Sequence, residues 1–160
     1  MFTNIVLATD GSEHADRALQ YAADIAQRDG AKLHVVHVVE KLPARKMAGD
    51  LNTHVDEDQL KDKVARQTRQ VAADRNVSVT LHVSTGRSGH VAQRIIDVTT
   101  ETGGDLIVVG TRGHSPVVGA MVGSVAQDLL HLAPCPVMAV TPGSAAPDTP
   151  PAPQSLTTAR

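Results

Sequence analysis

Leu106-Ile107-Val108-Val109-Gly110-Thr111-Arg112-Gly113 runs, after nine further residues, into Gly123-Ser124-Val125-Ala126-Gln127-Asp128-Leu129-Leu130. Residues 106–109 are an unbroken aliphatic run, which suits a strand covered on both faces. The residues after Ser124 read as a helix. A buried strand that empties into glycines and restarts as a helix is how parallel α/β folds build anion sites. Glycine lets backbone N–H groups approach an anion closely, because no Cβ intervenes. The helix N-terminus adds free N–H groups and the positive end of its dipole. Gly110, Gly113, Gly123 and Ser124 are therefore candidate phosphate-binding residues. The alternative is a glycine-bearing connection with a Gly-Ser helix cap; for Ser124, capping the helix and offering its hydroxyl to a phosphate are compatible roles.

Working outward, strand-like and helix-like segments alternate. Ile5–Thr9 is a short β-branched run, and Ser12–Arg28 carries Ala15, Ala18, Leu19, Ala22, Ile25 and Ala26 on one helical face. Ser12 is a suitable N-cap, and Gly30 a suitable stop. Strands are predicted at Lys32–Val39, Ser78–Ser84, Leu106–Val109 and Val137–Val140, and helices at Val55–Asp74, Ser88–Glu101 and Val122–Leu132. This alternation predicts one doubly wound parallel α/β sheet with right-handed crossovers. Glu40–His54 reads as an irregular insertion near the carboxyl ends of the strands. From Pro142 the chain carries five of its nine prolines, so residues 142–160 are expected to be a disordered tail on a 1–141 domain.

The chain has 160 residues, 41% hydrophobic but 1% aromatic, so Val, Ile, Leu and Ala must build the core. Single-stranded nucleic acid is stacked on aromatic faces that this chain hardly has. A net charge of −2 offers no basic footprint either, so no nucleic-acid partner is expected. The lone Cys135 fits a reducing compartment. No leader-like segment and no run near the roughly 20 apolar residues of a membrane span is visible. A cytoplasmic protein without a membrane partner is the expectation.

Ligands of open α/β sheets sit outside the carboxyl ends of the strands. Three candidate stretches fall there: Thr9-Asp10-Gly11, Val38-Val39-Glu40 and Val109-Gly110. A carboxylate at Asp10 either accepts a ribose hydroxyl or helps hold a phosphate-bound cation. Equally, Asp-Gly is a common turn pair, and spacing leaves both readings open.

The pattern Gly110-x2-Gly113-x9-Gly123-Ser124 resembles the ATP-binding motif of the universal stress protein family. Ile5-Val6-Leu7-Ala8-Thr9-Asp10, Leu33-His34-Val35-Val36-His37-Val38-Val39 and Ala133-Pro134-Cys135-Pro136-Val137 agree with it. The resemblance covers about residues 2–141. It implies an adenine nucleotide alpha hydrolase-like fold, a five-stranded parallel sheet of order 3-2-1-4-5 with helices on both faces. It also implies a homodimer, often paired through the fifth strands. In nucleotide-binding members, residues matching Ala8, Thr9 and Asp10 flank the adenosine, and the one matching Val38 contacts adenine. Those matching Val109 and Gly110 lie by ribose and base, and Gly113, Gly123, Ser124 and Val125 match the phosphate cradle. Some family members lack the glycines and bind no ATP; this chain keeps them.

The other chemistry-bearing residues are scattered. His34 and His37 should point to opposite faces of one strand, with His37 in a packing or hydrogen-bonding role. No HExxH or Cys/His ligand cluster occurs, and no metal site made of protein ligands alone is expected. Arg112 is a phosphate candidate because its charge is permanent; facing solvent is its alternative, as it is for Lys41, Arg45 and Lys46. Cys135 reads as a small buried residue. The leading functional expectation is an ATP-binding regulatory module of the stress response, with Mg²⁺ or Mn²⁺ on the phosphates and AMP or cyclic AMP as alternative nucleotides. A slow ATPase or phosphotransferase, with Asp10 as its one acidic group and no Walker lysine, is the second class. A dimeric interaction protein without nucleotide is the third.

Overall fold

The computed structural model describes residues 1–41, 52–87, 89–112 and 122–143. Nine elements follow one another: β1 (Asn4–Ala8), α1 (Glu13–Asp29), β2 (Lys32–Lys41), α2 (Asn52–Arg75), β3 (Val79–Arg87), α3 (Val91–Thr102), β4 (Leu106–Gly110), α4 (Ser124–Leu132) and β5 (Val137–Val140). The five strands form one parallel sheet in the order β3-β2-β1-β4-β5, as expected.

Alternation within the aliphatic strands divides the core in two. Ile5, Leu7, Leu33, Val35, Leu106 and Val108 pack beneath α1 and α2, against Ala18, Ala22, Val64 and Val71. Val6, Ala8, Val36, Ile107 and Val109 face α3 and α4, against Ala92, Ile95, Val98, Ala126 and Leu129. Small alanines on α1 let its backbone lie close to the sheet, which compensates for the missing aromatic volume.

The local signals behave as their chemistry requires. Ser12 caps α1, its Oγ accepting from the Ala15 N–H at 3.2 Å, and Gly30 ends the helix in the left-handed region at φ 68°. β2 and β3 run further than expected, because their ladder continues through Glu40↔Gly86 and Lys41↔Arg87. The insertion expected at Glu40–His54 is thus strand at one end and helix from Asn52, and residues 42–51 lie outside the described ones. The expected tail lies outside them from residue 144 onward. None of the described helices is long and apolar enough to cross a membrane.

His34 and His37 do take opposite faces. His34 Nδ1 lies 3.1 Å from His82 Nε2 on the α3 side, while His37 is buried on the other. Burial, then His82, then Lys32 hold the His34 pKa below its ordinary value. Cys135 is half-buried, and burial first, then the Asp105 charge, push its thiol up.

Asp105 fastens the first strand. Its carboxylate accepts from the Thr3 N–H at 2.8 Å, the Thr3 hydroxyl at 2.8 Å and the Asn4 N–H at 3.1 Å. Burial raises the Asp105 carboxyl, but these hydrogen bonds more than offset it and leave its pKa below the ordinary value. On acidification the unfolded chain therefore takes this proton first. The stabilisation is complete above the unfolded value near 3.8 and is lost as pH falls through the lower folded value. Asp105→Asn is expected to cost about 1–2 kcal/mol at pH 7, solvent screening discounted. Urea unfolding of parent and variant at pH 7 and pH 3 checks it, the gap narrowing at the lower pH.

Candidate functional site

The carboxyl edge of the sheet opens into a cleft of about 660 Å³. Parallel crossovers bring the first turn of each helix to this edge, so the cleft is walled by strand ends and helix starts. Ten of the eleven residues singled out in the sequence line it: Ala8, Thr9, Asp10, Val38, Val109, Gly110, Arg112, Gly123, Ser124 and Val125. The eleventh, Gly113, lies outside the described residues.

One end of the cleft is built around the start of α4. Thr111 N–H bonds Val140 O at 2.9 Å, and Gly123 N–H bonds Thr111 O at 2.8 Å, so the helix begins directly over the end of β4. Gly123 is the N-cap, with extended backbone and no side chain to accept from the first turn. The expectation that Ser124 caps the helix is thereby corrected: Ser124 is its first residue. A glycine cap leaves first-turn N–H groups without the side-chain acceptor that a Ser or Asp would supply, which favours an anion there. Gly110 is tightly seated, since a Cβ would lie 3.2 Å from Arg112 O and 3.3 Å from His14 O.

The middle is the turn after β1. Thr9 N–H continues the sheet to Val36 O at 3.0 Å. Thr9 Oγ1 accepts from the Gly11 N–H at 3.1 Å, and Asp10 Oδ1 accepts from the Ser12 N–H at 3.0 Å. Asp10 therefore shapes the turn while lining the cleft, so the two readings left open by its spacing are compatible. Lys63 on α2 donates to Gly11 O at 2.7 Å and lies 3.7 Å from Asp16.

The far end is apolar. Val36 and Val38 on β2 face Val91, Ala92 and Ile95 on α3, while Val39, His37 and Leu60 lie toward α2. These α2 and α3 residues were not singled out in the sequence, where their helical spacing reads simply as core. Glu57 and Asp128 also line the cleft. Among the described residues no group of three or more His, Cys, Asp or Glu is placed to hold a metal ion.

A doubly wound parallel sheet with a polar-ended cleft at its carboxyl edge is the architecture in which open α/β folds place their ligand sites. The family model of the universal stress protein family matches residues 1–141. A Thermus aquaticus universal stress protein is 36% identical over 141 residues, covering 88% of this chain and 99% of that one. The structure of a Lactobacillus plantarum universal stress protein aligns with a TM-score of 0.67 at 28% identity, over 86% of this chain and 97% of that one. An Archaeoglobus fulgidus universal stress protein, solved in complex with dAMP, aligns with a TM-score of 0.64 at 25% identity, over 86% and 96%. The chain belongs to the universal stress protein family.

Proposed function

We propose that this chain binds ATP and serves as a nucleotide-dependent regulatory module of a stress response in the cytoplasm. The observation that carries the reading is one cleft with an apolar end and an uncapped helix start. A flat, weakly polar base suits the apolar slot between Val38 and α3. The ribose then lies by Thr9 and Asp10, with Val109 and Gly110 beside it. The phosphates take the Gly123–Val125 end, near Arg112, and the motif assigns Gly113 to the same cradle. The family relative solved with dAMP supports an adenine nucleotide as the ligand class. AMP and cyclic AMP are the alternatives to ATP.

The residues present fit a metal-bound polyphosphate. Helix N–H groups and Arg112 supply positive potential, but Asp10, Glu57 and Asp128 line the same cleft. Mg²⁺ or Mn²⁺ carried on the phosphates would offset that acidic lining. Binding rather than turnover is the proposed activity, because the Asp10 carboxylate is already engaged by the Ser12 N–H. A homodimer through β5 is part of the proposal. β5 ends the sheet, and Leu130 and Leu132 on the neighbouring α4 are 52% and 62% exposed.

Calorimetry with ATP and Mg²⁺, joined to mass spectrometry of nucleotide released on denaturation, tests the reading. Stoichiometric uptake of an adenine nucleotide is expected. A folded protein that neither releases nor takes up one would overturn it.

A further inference from the structure

We propose that His37 contacts the nucleoside: its Nε2 accepts a hydrogen bond from an O–H or N–H group of the bound ligand. The proposal rests on the adenine-nucleotide reading of the cleft. His37 is 3% exposed, yet it belongs to the cleft wall. Its Nδ1 lies 3.0 Å from Thr9 O. A carbonyl oxygen only accepts, so the proton of the neutral ring sits on Nδ1 and Nε2 keeps a lone pair. Nε2 lies on the opposite edge of the ring and has no partner among the described residues. Of the wall residues toward α2, Val39 and Leu60 carry no polar side-chain atom, and the Glu57 carboxylate offers oxygens that accept rather than donate. An acceptor on a residue of the cleft wall takes its donor from whatever the cleft holds.

Position narrows the donor. The tether to Thr9 fixes the ring between the ends of β2 and β1, whereas α4 starts beyond β4, on the other side of β1. Two strand spacings separate β2 from β4, roughly 10 Å. That span sets the nucleoside, and not the phosphates, opposite His37. The donors a nucleoside offers there are a ribose hydroxyl and the 6-amino group of the base.

The test pairs variants with ligands. His37→Asn keeps an amide donor at the place of Nδ1 for Thr9 and removes the acceptor. His37→Gln carries an amide oxygen to the place of Nε2. Calorimetry is run with ATP, 2′-deoxy-ATP, 3′-deoxy-ATP and purine riboside triphosphate, which lacks the 6-amino group. His37→Asn is expected to weaken ATP about tenfold, the scale of one hydrogen bond. Against the one analogue that lacks the matching donor, parent and His37→Asn should bind alike. His37→Gln should restore most of the ATP affinity. An equal loss with all four ligands, or none, overturns the proposal while leaving the adenine reading intact. If the folded parent binds neither ATP nor AMP, both readings fall together. Should His37→Asn not fold, the parent decides. The ¹⁵N resonance of His37 Nε2 must move on addition of ATP, and a stationary resonance under saturating ATP overturns the assignment.

Discussion

Ser124→Asp is expected to weaken ATP binding by two orders of magnitude or more while leaving stability within about 0.5 kcal/mol of the parent. The two effects have different origins. For the fold, a carboxylate in the first turn of α4 meets the positive end of the helix dipole, worth about 0.3–1 kcal/mol. Asp128, four residues on, repels it by about 0.2–0.5 kcal/mol, so the two nearly cancel. For the ligand, the same carboxylate occupies the place assigned to phosphate. Two unit charges about 4 Å apart repel by about 4 kcal/mol at an effective dielectric near 20. Two-thirds of that already corresponds to a hundredfold. Ser124→Ala separates charge from hydrogen bonding, because it removes a hydroxyl and spares the backbone N–H groups. It is expected to cost about fivefold, one ordinary hydrogen bond. Chemical denaturation and calorimetry on the three proteins check the pattern. ATP affinity of Ser124→Asp within threefold of the parent would remove the phosphate from the α4 start.

The fold was legible because the inner strands β1, β2 and β4 carry apolar residues on both faces. Ile5 and Leu7 enter one half of the core and Val6 and Ala8 the other. Only a sheet covered twice buries both sets. Strand ends were less legible. Glu40 and Lys41 look like loop by composition, yet Gly86 and Arg87 continue the ladder beside them with backbone groups alone. The capping assignment failed for a related reason. Ser124 has the chemistry of an N-cap, but the bond from Gly123 N–H to Thr111 O holds Gly123 as the extended cap residue, so helical backbone begins at Ser124.

The cleft divides in the same way. Its strand-end residues could be named from the rule that ligands lie at the carboxyl edge, and from the glycine motif. Leu60, Val91, Ala92 and Ile95 could not. An apolar residue in the first turns of a helix has the same spacing whether it touches sheet or ligand. The signal that finds Val91 and Ala92 is topological: a βα crossover returns every helix start to that edge. Applied to β3 and α3, it places Val91 and Ala92 over the cleft. Leu60 lies more than two turns into α2, so this rule does not reach it.

Leu60 ties the turn of the cleft to the stability of the fold. Gly11→Val is expected to destabilise the protein by about 3 kcal/mol, from two separable sources. Gly11 has φ 76°, a conformation in which a β-branched residue is strained whatever space surrounds it. A Cβ there would also lie 2.4 Å from Leu60 Cδ1 and 3.3 Å from Val64 Cγ2. The first contact is with the tip of a half-buried side chain and yields when Leu60 is cut back; the backbone strain does not. Leu60→Ala alone should cost about 1 kcal/mol as a half-buried leucine. In the Gly11→Val background it should cost nothing or stabilise, a coupling of about 1 kcal/mol or more between the sites. Strict additivity in urea unfolding of the four proteins would show that Leu60 does not press on the Gly11 turn. The same cycle bears on binding, because Gly11 O also receives Lys63 Nζ. A turn displaced by the valine moves Thr9 and Asp10, at the assigned ribose position, together with the α2 wall. ATP affinity of the folded fraction of Gly11→Val should therefore fall, and Leu60→Ala should recover part of it.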